Sequence, residues 1–207
     1  MNEPAWLSIA RELKAIAQIG LTYCPNNCCI ERYEHLQTLA ARMMAVGSCS
    51  DEQLVLDLFR QDLGYPTPKV DVRGAVFRDD RVLLVQEMND GKWSLPGGWA
   101  DVNQTPSECV AREISEETGF EARATKLAAV LDRRLHGHVP LHPQYVYKLH
   151  FLCELTGGAA RPSLETLAVE FFPLDALPEL SLSRTTARQI ERVFEHYRTP
   201  SLPTDFD

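Results

Sequence analysis

The stretch LPGGWADVNQTPSECVAREISEETGF, from Leu95 to Phe120, constrains the fold of this chain more than any other. It opens with a proline and two glycines and runs through a short polar loop into a segment with helical periodicity. Thr105, Pro106 and Glu108 read as a helix start: a hydroxyl at the N-cap, proline at the first helical position and glutamate three residues after the cap. Gly119 marks the stop. Between them Glu113, Glu116 and Glu117 stand at i, i+3 and i+4, within an arc of roughly 100°, so three carboxylates share one face. Val110, Ile114 and the methyl of Thr118 step along another side and can pack inward. Like charges on one face repel unless a cation sits among them. Hard oxygen donors of this kind suit Mg²⁺ or Mn²⁺, which keep waters and share coordination with substrate phosphates.

Standing alone, a helix reading REISEE is a solvated face with Arg112 and Glu116 paired at i, i+4. Here Gly97 and Gly98 precede it by a loop short enough to bring bare backbone beside the carboxylates, where a pyrophosphate could approach. This pattern resembles the Nudix hydrolase family, whose signature is a glycine, five residues, a glutamate, seven residues, then Arg-Glu-aliphatic-x-Glu-Glu-x-Gly-aliphatic. Gly98, Arg112, Glu113, Ile114, Glu116, Glu117 and Gly119 occupy those places, with Phe120 in the last. One position departs: the first glutamate is Gln104, preceded by Asn103 where glycine is usual. The runs YPTPKVDVRGAVF, GKWSLPGGWADV and DRRLHGH, with the helical N-terminal segment, are similar to a Nudix subgroup that includes CDP-choline pyrophosphatases, with relatives described as ADP-ribose pyrophosphatases. In that subgroup the first glutamate is commonly replaced.

The resemblance implies a Mg²⁺- or Mn²⁺-dependent pyrophosphohydrolase that cleaves a nucleoside diphosphate linked to another moiety into a nucleoside monophosphate and a phosphorylated partner. An RNA end stays open as a substrate. Metal ligation falls to Glu113, Glu116 and Glu117, and the catalytic set is Glu116, Glu117, Arg112 and Glu165. Arg112 orients the carboxylates, and Glu165, on the loop entering a late strand, stands where some Nudix enzymes place an auxiliary glutamate. Gly97 and Gly98, with Arg133, Arg134, His136 and His138 of a basic loop, are the expected substrate contacts; His142 belongs to the same loop. A reading of another class, a non-catalytic Nudix-like binding or sensor protein, stays open. The three mutually repelling carboxylates favour the enzyme.

Elsewhere the sequence is that of an ordinary globular protein. Its 207 residues carry 21 basic and 29 acidic side chains, a balance that argues against electrostatic capture of DNA. There is no apolar run long enough to span a membrane and no signal segment at the start, so a cytoplasmic location is expected. Of six cysteines, three cluster as Cys24, Cys28 and Cys29 without the paired spacing of a zinc site, and read as reduced thiols.

Residues 1–64 read as a small all-α domain. Trp6, Ile9, Leu13 and Ile16 form one apolar stripe, and Tyr33, Leu36, Ala40 and Met43 another. A third helix starts at Ser50 with Gln53 completing a capping box, and carries Leu54, Val55, Leu58 and Phe59 to a stop at Gly64. These stripes exceed what so small a bundle can hide, which points to a homodimer. Residues 65–68 are a stiff linker. The rest, 69–207, reads as an α/β Nudix fold, a mixed sheet between helices: strands at Val70–Phe77, Arg81–Gln86, Lys126–Leu131, Tyr145–Leu155 and Val169–Pro173, then a helix over Ser183–Tyr197.

The departure at Gln104 generates a prediction. A neutral amide still holds the loop by hydrogen bonds, and the remaining carboxylates suffice for a metal with waters. Gln104→Glu should therefore change turnover by less than about tenfold, roughly 1.4 kcal/mol in the barrier. Assays of both proteins on CDP-choline and ADP-ribose across a Mg²⁺ titration check it.

Overall fold

A computed structural model describes residues 4–207, leaving aside the side chains of Asn27 and Cys28. The chain divides after Pro68 into two compact units.

The first unit is three helices, α1 (Ala5–Tyr23), α2 (Asn27–Ser48) and α3 (Glu52–Gln61). Small residues let α1 and α2 approach closely as an antiparallel pair. Gly20, late in α1, lies under the Tyr33 ring, and Gly47, late in α2, lies against Trp6. Leu7, Ala10, Ala40, Ala41, Val55 and Phe59 form the core of this unit, with Trp6, Leu13 and Met43 packed on it. Three expectations need correction. Ile9 and Ile16 point outward, because the alanines, not the isoleucines, occupy the close helix contact. The cap of α3 is Asp51, whose carboxylate accepts from the Leu54 N–H at 2.8 Å. Ser50 instead closes the preceding helix, its N–H donating to the Ala45 carbonyl, and Gln53 turns to Asp57. Leu54 and Leu58 are exposed, and Leu56 is buried in their stead. Of the cysteine cluster, the Cys28 side chain lies outside the described residues.

The second unit is a mixed sheet of β1 (Lys69–Arg78), β2 (Arg81–Glu87), β3 (Trp93–Ser94), β4 (Phe120–Asp132), β5 (Val146–Gly158), β6 (Thr166–Pro173) and β7 (Asp205–Phe206). The order is β3-β2-β1-β5-β4-β7, with β6 beside β2. One face is covered by α4 (Pro106–Thr118), the other by α5 (Ala187–Arg198). Strand alternation sorts the residues: Val72, Val76, Phe151 and Cys153 meet Val110 and Ile114 of α4, while Ala75, Leu84 and Leu152 meet Ile190, Val193 and Phe194 of α5. Two boundaries differ from expectation by more than three residues. β4 begins directly after Gly119, whose left-handed turn (φ 74°) feeds Phe120 into pairing with Gly158. The last helix begins at Ala187, not Ser183, because residues 179–181 are drawn alongside Trp93 and Thr185 receives the Leu95 N–H at 3.1 Å.

The feature that places the site is the parting of β1 and β2. They pair only at Phe77–Val82 and Arg78–Arg81, beside their turn. Further along, β1 bonds instead to the glycine loop: Gly74 N–H to Pro96 O at 2.9 Å, Val72 N–H to Gly98 O at 2.8 Å, and Ala100 N–H to Val70 O at 2.9 Å. Gly97 has φ 139°, and a Cβ there would meet the Val72 carbonyl oxygen at 2.0 Å. Neither the backbone angle nor the space admits a side chain. Gly97→Ala is therefore expected to lower stability by at least about 2 kcal/mol, read as a fall in the urea midpoint with an unchanged slope.

Candidate active site

The helix α4 carries the acidic face. Its start is the expected capping box, with the Thr105 hydroxyl accepting from the Glu108 N–H and the Glu108 carboxylate accepting from the Thr105 N–H. Val110, Ile114 and Thr118 are fully buried, and Ile114 packs so tightly over Gly74 of β1 that a Cβ there would lie 2.6 Å from its Cδ1. This seats the adjoining side of the helix, which carries Glu113 and Glu117, over the glycine loop. Glu117 is buried, and its Oε2 accepts from the Gly97 N–H at 2.8 Å. Burial pushes its carboxyl up to about 8, against the opposing pull of Arg73 and the Gly97 N–H. Glu113, beside Gly98, is also shifted upward by burial, with Arg112 opposing.

Glu116 goes elsewhere. Its side chain is 59% exposed and takes the Arg112 Nη1 donor at 2.6 Å. Arg112 also reaches Asp101 at 2.8 Å, Glu113 at 2.9 Å and the Gln104 Oε1 at 3.2 Å. The guanidinium thus braces the acidic face from the solvent side, and Gln104 serves as one of its acceptors.

The carboxylates border a cleft of about 470 Å³ where β1 and β2 part. Seven of the sequence-derived residues line it: Gly97, Gly98, Glu113, Glu117, Arg133, His142 and Glu165. Arg112, Glu116, Arg134, His136 and His138 do not. Arg134 is tied to Asp132 at 2.6 Å and lies over the Tyr145 ring, and His136 meets the Asp207 carboxylate at 2.8 Å. His138 is buried between the Leu182 carbonyl and Gln189, each 2.9 Å away, and burial drives its pKa down to about 3.

Sequence reading missed the floor of the cleft. Asp71 and Arg73 on β1 and Lys148 on β5 point to the same side of the sheet, and parallel pairing sets Asp71 opposite Lys148. Arg73 grips the Asp71 carboxylate at 2.9 and 2.8 Å and donates to the Leu95 carbonyl at 3.1 Å; Lys148 Nζ meets Asp71 Oδ1 at 2.6 Å. All three are buried. Burial alone would raise the Asp71 pKa, but the two cations and their hydrogen bonds hold it well below the usual carboxylate range. Burial brings Lys148 down to about 8 although Asp71 opposes the shift. Glu87 on β2 forms the facing wall, receiving Ser94 Oγ at 2.6 Å and Arg184 at 3.0 Å. A signal was present: charged residues at alternate positions of apolar strands, Asp71 and Arg73 in VDVRGAV and Lys148 in YKLHF.

Among the described residues no three His, Cys, Asp or Glu side chains converge on one point. The donor set nevertheless fits Mg²⁺, which is bound through one or two carboxylates with waters and substrate phosphates instead of a closed protein cage. Glu113 and Glu117 present that pair; burial raises both carboxyls, a shift that a cation beside them would oppose.

Comparison with known proteins agrees with this geometry. Residues 67–194 match the NUDIX domain, and residues 4–59 match a UDP-X-like, N-terminal oligomerisation domain. The chain belongs to the Nudix hydrolase family, and it is an enzyme, a hydrolase of phosphoric anhydride bonds. It is 44% identical over 202 residues, 98% of this chain and 97% of the other, to a Bacillus subtilis (strain 168) protein that carries the provisional name ADP-ribose pyrophosphatase YjhB. A crystal structure from Streptococcus suis 89-1591, described as an ADP-ribose pyrophosphatase, is 45% identical with a TM-score of 0.62, covering 68% of this chain and 100% of that one. A structure described as UDP-X diphosphatase is 31% identical with a TM-score of 0.64 and covers 100% of both chains. No described helix is long and apolar enough to cross a membrane.

The floor makes its own prediction. Asp71 is a single carboxylate between two buried cations, so Asp71→Ala strands both and should cost about 3–5 kcal/mol. Because its folded pKa is depressed, the stability it contributes is present above its unfolded value near 3.8 and is lost as pH falls through the folded one. Urea unfolding from pH 7 to pH 2 should show a shallower acid loss in Asp71→Asn than in the unchanged protein.

Proposed function

We propose that this protein is a Mg²⁺-dependent pyrophosphohydrolase (Mn²⁺ serving as well) that cleaves a nucleoside diphosphate linked to a second moiety, of the CDP-choline or ADP-ribose type. The observation that carries the reading is the pair of cleft-lining carboxylates, buried Glu117 and half-buried Glu113, set beside the side-chain-free backbone of Gly97 and Gly98 over a floor with two buried cations. The names of the Bacillus and Streptococcus relatives support an ADP-ribose-type substrate, and that of the UDP-X diphosphatase a nucleoside diphosphate with a variable second moiety.

Glu113 and Glu117 would hold the cation from the cleft side, and Glu116, paired with Arg112 at the helix flank, would join them on release from that pair. When bound, the metal neutralises the pyrophosphate and lowers the pKa of a water. The other groups belong to the chain. Gly97 and Gly98 leave room for the phosphates, and Lys148 and Arg133 oppose their negative charge from the floor. Arg112 keeps the acidic face in register through its bonds to Glu113 and Glu116. Glu165, on the cleft border just before β6, would take a proton from the attacking water, a role its cleft-lining position supports.

The N-terminal unit supports a homodimer. Its matched family is described by oligomerisation, and each helix leaves apolar side chains exposed: Ile9 and Ile16 on α1, Leu39 and Val46 on α2, Leu54 and Leu58 on α3.

A panel of nucleoside diphosphate derivatives with Mg²⁺ or Mn²⁺, followed by released phosphomonoester, tests the activity. Glu117→Gln and Glu116→Gln should each cut turnover by orders of magnitude while the fold persists, with the larger loss at the cleft-lining Glu117. Unchanged turnover of both at saturating Mg²⁺ would sink the assignment. Light scattering at micromolar concentration should return the mass of two chains; a monomer overturns the dimer.

A further inference from the structure

The cleft is chemically divided, and its mouth differs from its floor. Below lie buried Asp71, Arg73 and Lys148; at the rim stand Trp99 and His142. Trp99 follows the glycine pair directly, and its backbone is clamped on both sides. The Gly98 carbonyl accepts from Val72, the Ala100 N–H donates to Val70, and Trp99 itself bridges to Asp71 in antiparallel fashion. Yet its side chain, the largest of all types, is 48% exposed. A tryptophan kept only for packing would bury more of its apolar surface. The His142 ring, brought in by the loop before β5, lies 6.0 Å from it at an angle of 57°. Two rings from distant segments thus border one opening, above a charged floor.

We propose that Trp99, flanked by His142, is the platform on which the planar base of the substrate stacks while the phosphates reach toward the floor. The proposal rests on the nucleoside diphosphate reading above and specifies which end of the substrate faces the mouth. Stacking on an indole uses the π-face that every base has, so it is tolerant of base identity. The platform therefore selects for a nucleotide over a bare sugar phosphate and discriminates weakly between purine and pyrimidine. Trp99 acts through binding and takes no part in bond cleavage.

Binding to the full-length protein separates this role from catalysis. The dissociation constants of AMP, CMP and ribose 5-phosphate are measured by calorimetry for the unchanged protein, Trp99→Phe and Trp99→Ala. Loss of the indole should weaken AMP and CMP by about tenfold or more, the phenyl ring should keep them within about threefold, and ribose 5-phosphate should bind all three proteins alike. On the hydrolysed substrate, Trp99→Ala should raise KM and leave kcat near its original value. AMP and CMP bound equally by Trp99→Ala and the unchanged protein would overturn the platform, as would equal weakening of ribose 5-phosphate, which would mean a collapsed rim. An unchanged protein that binds neither nucleotide also overturns it. These outcomes are independent of the hydrolysis panel: turnover without dependence on Trp99 removes the platform alone, whereas no turnover on any derivative removes the functional reading.

Discussion

The site depends on three backbone hydrogen bonds that tie the segment Pro96–Ala100 to the edge of β1. That edge is available because β2 pairs with β1 at two positions beside their turn and then diverges to pair with β3. A strand edge left bare would carry unsatisfied N–H and C=O groups in the interior of the fold. The glycine loop satisfies them and is held straight in return. It then offers the Gly97 N–H to Glu117 from one side, while the parted strands leave the cleft on the other. Helix α4 is pressed onto the same strand at Gly74, so loop, helix and floor are referred to one element, β1.

Electrostatics divides this small volume into two regimes. On the floor the charges are matched by geometry: Arg73 grips both Asp71 oxygens, and Lys148 caps one of them. On the helix side they are not. Glu113 and Glu117 are withdrawn from water with too little positive charge about them, so burial raises both. Carboxylates held in such a state disfavour the folded protein by themselves. A cation entering with the ligand would relieve that penalty, which is how the arrangement suits a metal. Glu116, which has Arg112 within reach and water around it, carries no such penalty.

Much of the frame was legible in the sequence because it is local. Thr105, Pro106, Glu108 and Gly119 bracket α4 through bonds spanning three or four residues, and the apolar spacing of Val110 and Ile114 names the buried face without knowing what covers it. The mixed sheet between helices followed from the order of elements. Errors gathered where a competing contact, more often than not from another segment, overruled local preference. Ser50 looked like a cap but closes the helix before it, Ser183 looked helical but lies where the chain is drawn toward Trp93, and Ile9 looked buried where alanine made the closer contact.

The sequence by itself determined the acidic helix, the glycine pair before it and the fold class, since each is written in spacings of a few residues. Tertiary structure decided that Glu117 faces the cleft, because the Gly97 N–H takes it there, while its neighbour Glu116 stays with Arg112 one turn back. It alone brought Lys148 to Asp71, 77 residues away in sequence, through the parallel pairing of β5 with β1. It likewise withdrew Arg134, His136 and His138 from the cleft by giving each a partner of its own. Local patterns specify helices, turns and faces; contacts between distant segments depend on strand register, which no short stretch contains.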